Sequence, residues 1–142
     1  MRKKLFFAGL IVLLSACIMD YYNHQLSITN NSGKELSVLY SNDVEIPANE
    51  NNVDFYIADW ETVKPDSTFT IVMPGNENVW HEYIADGSTK KLYFYIFETD
   101  TLKKYKNNYS MRGFVQMNKY FKSFSYTENE LKKINWNIVV GK

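Results

Sequence analysis

Lys91 to Phe97 (KLYFYIF) is the segment that most restricts the fold of this chain. Its apolar residues are contiguous, not alternating. Such a run predicts a strand buried on both faces, at the centre of a sheet. Leu26, Ile28, Leu36, Val38 and Tyr40 alternate on either side of Asn30-Asn31-Ser32-Gly33-Lys34, which predicts a β-hairpin. Val53 to Ile57 reads as a short strand. Thr68 to Met73 (TFTIVM) reads as another, ended by Pro74-Gly75-Asn76. Phe114 to Tyr126 reads as one long irregular strand or a pair, and Trp136 to Val140 as the last strand. Trp80, Tyr83 and Ile84 are spaced for one helical face within the short segment Glu77 to Ala85, which leaves its type open. Thr99-Asp100 is placed to cap a short helix over Thr101 to Lys106. Thr127-x-x-Glu130 is a capping box that opens a helix over about Glu128 to Lys133. Trp136 is expected to be buried. The expected fold is mainly β: a single antiparallel β-sandwich of about seven strands with two or three short helices, and α+β as the alternative. A length of 142 residues suits one such domain, here residues 25–142.

The N-terminal residues stand apart. Arg2, Lys3 and Lys4 precede a ten-residue apolar run, Leu5 to Leu14. That run is too short for a bilayer span, which takes about 20 apolar residues, and reads as a secretory signal. Leu14-Ser15-Ala16-Cys17 then matches the lipobox of bacterial lipoproteins. It implies cleavage between Ala16 and Cys17 and transfer of diacylglycerol to the Cys17 thiol. Residues 1–16 are thus expected to be a cleaved signal peptide, and residues 17–24 a lipidated short tether. From Cys17 to the first strand-like run near Gln25 the chain reaches at most about 28 Å. The lipid is the only membrane attachment expected, in the bacterial envelope at the outer membrane. Asp20 is the single acidic residue just after Cys17, and it leaves the periplasmic or surface face open. Cys17 is the only cysteine, so the folded part is held by its core and not by disulfides.

Two stretches carry a family resemblance. Leu92 to Leu102 (LYFYIFETDTL) joins an apolar strand to an Asp-Thr helix start. Phe124-Ser125-Tyr126-Thr127, followed by Glu130 to Trp136 (ELKKINW), joins a strand to a helix end and a last strand. Together they resemble the C-terminal half of small, uncharacterised lipoproteins of Bacteroides and related bacteria, over roughly residues 90–140. The Ile28-to-Ser32 opening agrees more weakly. Asn107 to Gln116 departs from that pattern, which has a Trp-containing acidic turn there. The resemblance implies a lipoprotein of a Gram-negative envelope. It implies no activity and no catalytic residue.

Sixteen basic residues balance sixteen acidic ones, which gives no footprint for a nucleic-acid partner. The balance is uneven along the chain. Residues 17–89 hold 2 Lys+Arg against 12 Asp+Glu, and residues 90–142 hold 11 against 4. The two halves are expected to interleave and neutralise each other across strands, and a basic face of the C-terminal part for anionic lipid or polysaccharide is the alternative. No catalytic constellation stands out. There are two histidines, His24 and His81, no Gly-x-Ser-x-Gly elbow and no phosphate-binding loop. Neither a metal site nor a cofactor is expected, and Asn49 to Asp54 lacks calcium-loop spacing. Asp59 with Glu61, or Glu98 with Asp100, are the carboxylate pairs open to hydrolytic work. Trp60, Trp80 and Tyr83 are candidate rings for stacking on a sugar face, and core packing is the alternative for each. Ser67 and Thr101 sit in short Asp-Ser/Thr patterns of the O-glycosylation type. The function expected is a non-enzymatic binding or assembly module on a lipid anchor. A carbohydrate-binding accessory lipoprotein and a small carboxylate-based hydrolase are the alternatives. The partners expected are the membrane, through the lipid, and a glycan or an envelope protein.

Overall fold

A computed structural model describes residues 21–48 and 51–141. The signal peptide, Ala16, Cys17 and the loop residues Asn49 and Glu50 lie outside the described residues. Seven strands and five short helices make up the described part. In order they are β1 (Tyr22–Asn30), β2 (Leu36–Ser41), α1 (Val53–Tyr56), β3 (Thr62–Val63), β4 (Ser67–Pro74), α2 (Val79–Asp86), β5 (Leu92–Glu98), α3 (Thr99–Tyr105), α4 (Met111–Gln116), β6 (Lys122–Tyr126), α5 (Glu128–Lys133) and β7 (Asn137–Val140). The strands form a three-stranded sheet, β4-β1-β7, and a four-stranded sheet, β3-β2-β5-β6. The protein is mostly β.

β5 behaves as its sequence requires. It pairs with β2 on one side and β6 on the other. Leu92, Phe94 and Ile96 are fully buried in a cluster that also holds Leu26 and Ile28 of β1, Ile71 of β4, Trp80 and Ile84 of α2, and Ile138 and Val140 of β7. Both sheets therefore share one core. Tyr95 and Phe97 point the other way, into a second cluster with Val53 and Tyr56 of α1, Leu102 of α3, and Met111 and Phe114 of α4. The period-2 alternation of a strand divides the run between two cores.

Four sequence expectations are corrected. The first concerns β1 and β2, which do not form a hairpin but lie in different sheets. Asn30, wholly buried, turns the chain: its Nδ2 donates to the carbonyls of Lys34, Val63 and Lys64, and its Oδ1 accepts from Ser32 N and Oγ. A side chain that satisfies this many groups redirects the backbone between sheets where a two-residue turn would have paired it with itself. Second, Val53–Tyr56 is helical. Asn52 caps it by accepting from Asp54 N, and Val53 and Tyr56 bury one face. Third, Asn107 to Tyr126 contains the helix α4 before β6: Ser110 accepts from Gly113 N, and Met111 and Phe114 are buried at i,i+3 spacing. The helices thus number five, not two or three. Fourth, the strands are not all antiparallel, because β7 runs parallel to β1. Parallel neighbours need a long connection, and β1 and β7 are the first and last strands described. β1 also starts at Tyr22, so the segment read as a tether includes its first three residues.

The capping box is present as expected. Thr127 Oγ1 accepts from Glu130 N while the Glu130 carboxylate accepts from Thr127 N, and α5 spans Glu128–Lys133. Trp136 is buried at φ +56°, directly after Asn135 at φ +52°. A bulky residue there is strained. Bonds from Trp136 N to the Leu131 carbonyl (2.8 Å) and from Ser27 N to the Trp136 carbonyl (2.9 Å) hold the turn. Thr99 and Asp100 do not cap α3, as the sequence suggests, but form its first turn; the N-cap is Glu98, and the helix ends at Tyr105.

Candidate functional site: an aromatic groove between two sheet edges

β3 pairs with β2 only at Leu36 and Ser37. Beyond that point Val38 and Tyr40 of β2 face β4 across a groove of about 770 Å³. β4, the edge of the other sheet, supplies five consecutive lining residues, Phe69 to Met73. Phe55, Tyr56, Trp60 and Glu61 form one flank and Tyr83 of α2 the other.

Local sequence places each flank. The capped α1 turns Phe55 outward while Tyr56 anchors in the core, and bonds from Ala58 N to Phe55 O and from Glu61 N to Ala58 O fold the following loop back. That loop leaves Trp60 at the rim, 73% exposed. α2 is held by the buried Trp80 and Ile84, and by Asn42 Nδ2 donating to the Tyr83 carbonyl at 2.9 Å. Gly87, which ends α2, packs so closely on the Asn42 carbonyl that an added Cβ would meet it at 2.0 Å. That contact fixes the spacing between α2 and β2.

The three candidate stacking rings separate. Trp60 and Tyr83 line the same groove. Trp80 is 1% exposed and is a core residue, in contact with the rings of Tyr40, Tyr83 and Trp136. Its indole N–H is buried without a hydrogen-bond partner among the described residues. The Tyr40 and Tyr83 rings pack edge-to-face against the Trp80 ring. Sequence reading missed Phe55, Tyr56 and Phe69 as groove residues. The Asn52 cap ahead of Val53-x-x-Tyr56 was the available signal for the first two.

Glu61 is the only charged residue lining the groove among the described residues. Burial pushes its carboxyl above the usual carboxylate range. Asp59, its partner in the sequence pattern, is not among the lining residues and faces Lys64 at 3.5 Å. The groove thus gathers one half-buried carboxylate and no second one among the described residues. The other carboxylate pair, Glu98 with Asp100, lies at the junction of β5 and α3. No group of three or more His, Cys, Asp or Glu is arranged to hold a metal ion among the described residues.

Ionisable side chains elsewhere pair across the two halves of the chain. Lys103 pairs with Glu35 (3.3 Å), Lys106 with Asp54 (2.8 Å) and His81 with Glu128 (2.7 Å). Lys64, Thr62 and Lys103 together hold the Glu35 carboxyl below its ordinary range, Lys64 most strongly. The basic half is in this way partly matched by acids of the first half. Ser67 opens β4 with its hydroxyl donating to the Lys64 carbonyl (2.7 Å), and Thr101 is half-buried on α3.

Compared with protein-family models, with curated proteins and with solved structures, the chain matches none significantly. No helix among the described residues is long and apolar enough to cross a membrane.

Proposed function

We propose that this chain is a lipid-anchored envelope lipoprotein whose folded part is a β-sandwich with a ligand-binding groove, acting by binding and not by catalysis. The observation that carries the reading is the groove itself. Among the described residues it gathers six aromatic rings and a single carboxylate, between two sheets that share one core. Concave sites of a few hundred Å³ with many apolar and few polar groups are where ligands bind. The register of the charged leader, the apolar run and Leu14-Ser15-Ala16-Cys17 supports the anchor. Only five residue steps separate Cys17 from β1 at Tyr22, about 18 Å at full extension. The groove would then work close to the membrane surface.

A glycan is the second reading of the ligand, favoured by Trp60 and Tyr83 sharing one groove. Hydrolysis by two carboxylates needs both within about 5–9.5 Å across a cleft, and among the described residues Glu61 is the one carboxylate lining it. Two measurements test the proposal. Cells expressing the full chain and fed a clickable fatty acid should label it, and Cys17→Ser should abolish the label; labelling that survives the substitution refutes the anchor. The purified lipoprotein should bind immobilised envelope glycans or envelope proteins in a way that Trp60→Ala weakens without moving Tm. Turnover of glycoside substrates, lost in Glu61→Gln, would instead make it an enzyme.

A further inference from the structure

We infer that the groove takes an extended segment of another polypeptide, which adds as a strand along the outer edge of β4. This rests on the reading of the groove as a binding site and names its occupant. Side chains of a strand alternate between faces, yet five consecutive residues of β4 line the groove. What those five share is the backbone edge. Among the described residues β4 pairs with β1 alone, so the main-chain groups of its other edge, carried by alternate residues, look into the groove. Edge strands are normally blunted by charges, proline or bulges. Thr68 to Met73 carries no charge and no proline, and the one register shift of this pair lies in β1, between Asn23 and Leu26. The flanks recess this edge between Trp60 and Tyr83, which shields it from indiscriminate pairing.

The neighbouring strand shows the slot. β3 lies between the β2 edge and β4 for two residues, Thr62 and Val63, and then its line is not continued. From Phe69 to Met73 the open edge is about 14 Å long, at 3.4 Å per residue, enough for a segment of about five residues. Alternate side chains of that segment would meet Tyr40, Tyr56, Phe69 and Met73, all lining residues, so they should be apolar. One should be Lys or Arg. Among the described residues Glu61 is the single charge in the lining and no basic side chain pairs with it, and residues 17–89 hold 12 acids against 2 bases. Main-chain bonds would give affinity and the alternate pockets selectivity, as in other strand-addition complexes.

The test uses the full lipoprotein in detergent and a phage-displayed library of random octapeptides. Enriched peptides are expected to alternate apolar residues and to carry one basic residue. A synthetic copy of the best one should protect from hydrogen exchange the alternate amides of residues 69–73 that do not bond to β1. Val72→Lys, on an exposed position of β4, should weaken it at least tenfold with Tm unchanged. Glu61→Gln should weaken the basic peptide about tenfold and its norleucine-substituted version not at all. Enriched peptides that leave β4 exchange unchanged would overturn strand addition. A lack of enrichment would overturn the polypeptide occupant, and glycan binding in the same preparation would leave the groove standing as a ligand site. A concentration-dependent dimer already protecting residues 69–73 would replace the foreign segment with a second copy of this chain.

Discussion

The two sheets meet along two edges, and the chain crosses between them differently at each. From β6 to β7 it crosses through α5, whose Leu131 is fully buried and whose C-terminal turn delivers the buried Trp136. Lys122 Nζ also donates to the Gly141 carbonyl at 2.7 Å there. From β3 to β4 it crosses in three residues, Lys64 to Asp66. A helix fills the first edge with side chains, whereas a short turn after a two-residue strand leaves the second one lined but not filled. Whether such an edge becomes core or groove thus depends on how much chain is spent crossing it.

The contrast is open to direct attack. Leu131→Ala removes a fully buried side chain from the filled edge and should cost about 2–5 kcal/mol in chemical denaturation. Trp60→Ala, at the rim of the open edge, should stay within about 0.5 kcal/mol of wild type. Equal costs would mean that the groove is as tightly packed as the core. Gly87→Ala should come next, at about 1–3 kcal/mol, because its Cβ would collide with the Asn42 carbonyl. It should also disturb the Tyr83 flank, read by ligand affinity. Thr127→Ala breaks the capping box and should cost about 1 kcal/mol.

The smallest effects are in titration, and their signs oppose. Glu130 on the filled edge is held below the usual range by the backbone N–H and the hydroxyl of Thr127. Its contribution is present above the unfolded-state value and is lost as pH falls through the folded one. Burial raises Glu61 on the open edge. The folded chain therefore holds that proton more tightly, and the associated stability fades as pH rises through the raised value. Carbon-detected NMR titration should place the two midpoints on opposite sides of the ordinary glutamate value. Glu61→Gln should flatten the stability profile on that high side only.

Local signals in the sequence were strong where neighbours three or four residues away decide the outcome. The Thr127–Glu130 box, the contiguous run of β5 and the Asn/Pro/Gly stops around β4 all read through to structure. Signals failed where a distant group decides. Asn30 looks like part of a turn, but two of its carbonyl partners, Val63 and Lys64, come from over thirty residues later. Val53 to Ile57 has a strand-like composition that a single Asn cap overrides. The groove was half legible. Trp60 and Tyr83 were singled out as candidate stacking rings, while β4 was read only as a strand, because nothing in a single strand says which edge its neighbour will leave uncovered.

The placement of β1 bears on how the chain acquires its shape over time. β1 is the central strand of its sheet, yet its partner β7 lies so far along the chain that Ser27 meets Asn137 across 110 residues. Contacts of that separation form late and slow folding. A chain emerging N-terminus first must hold β1 half-paired until almost all of the described domain has appeared. Removing only residues 137–141 would leave the middle strand of the smaller sheet as a new edge.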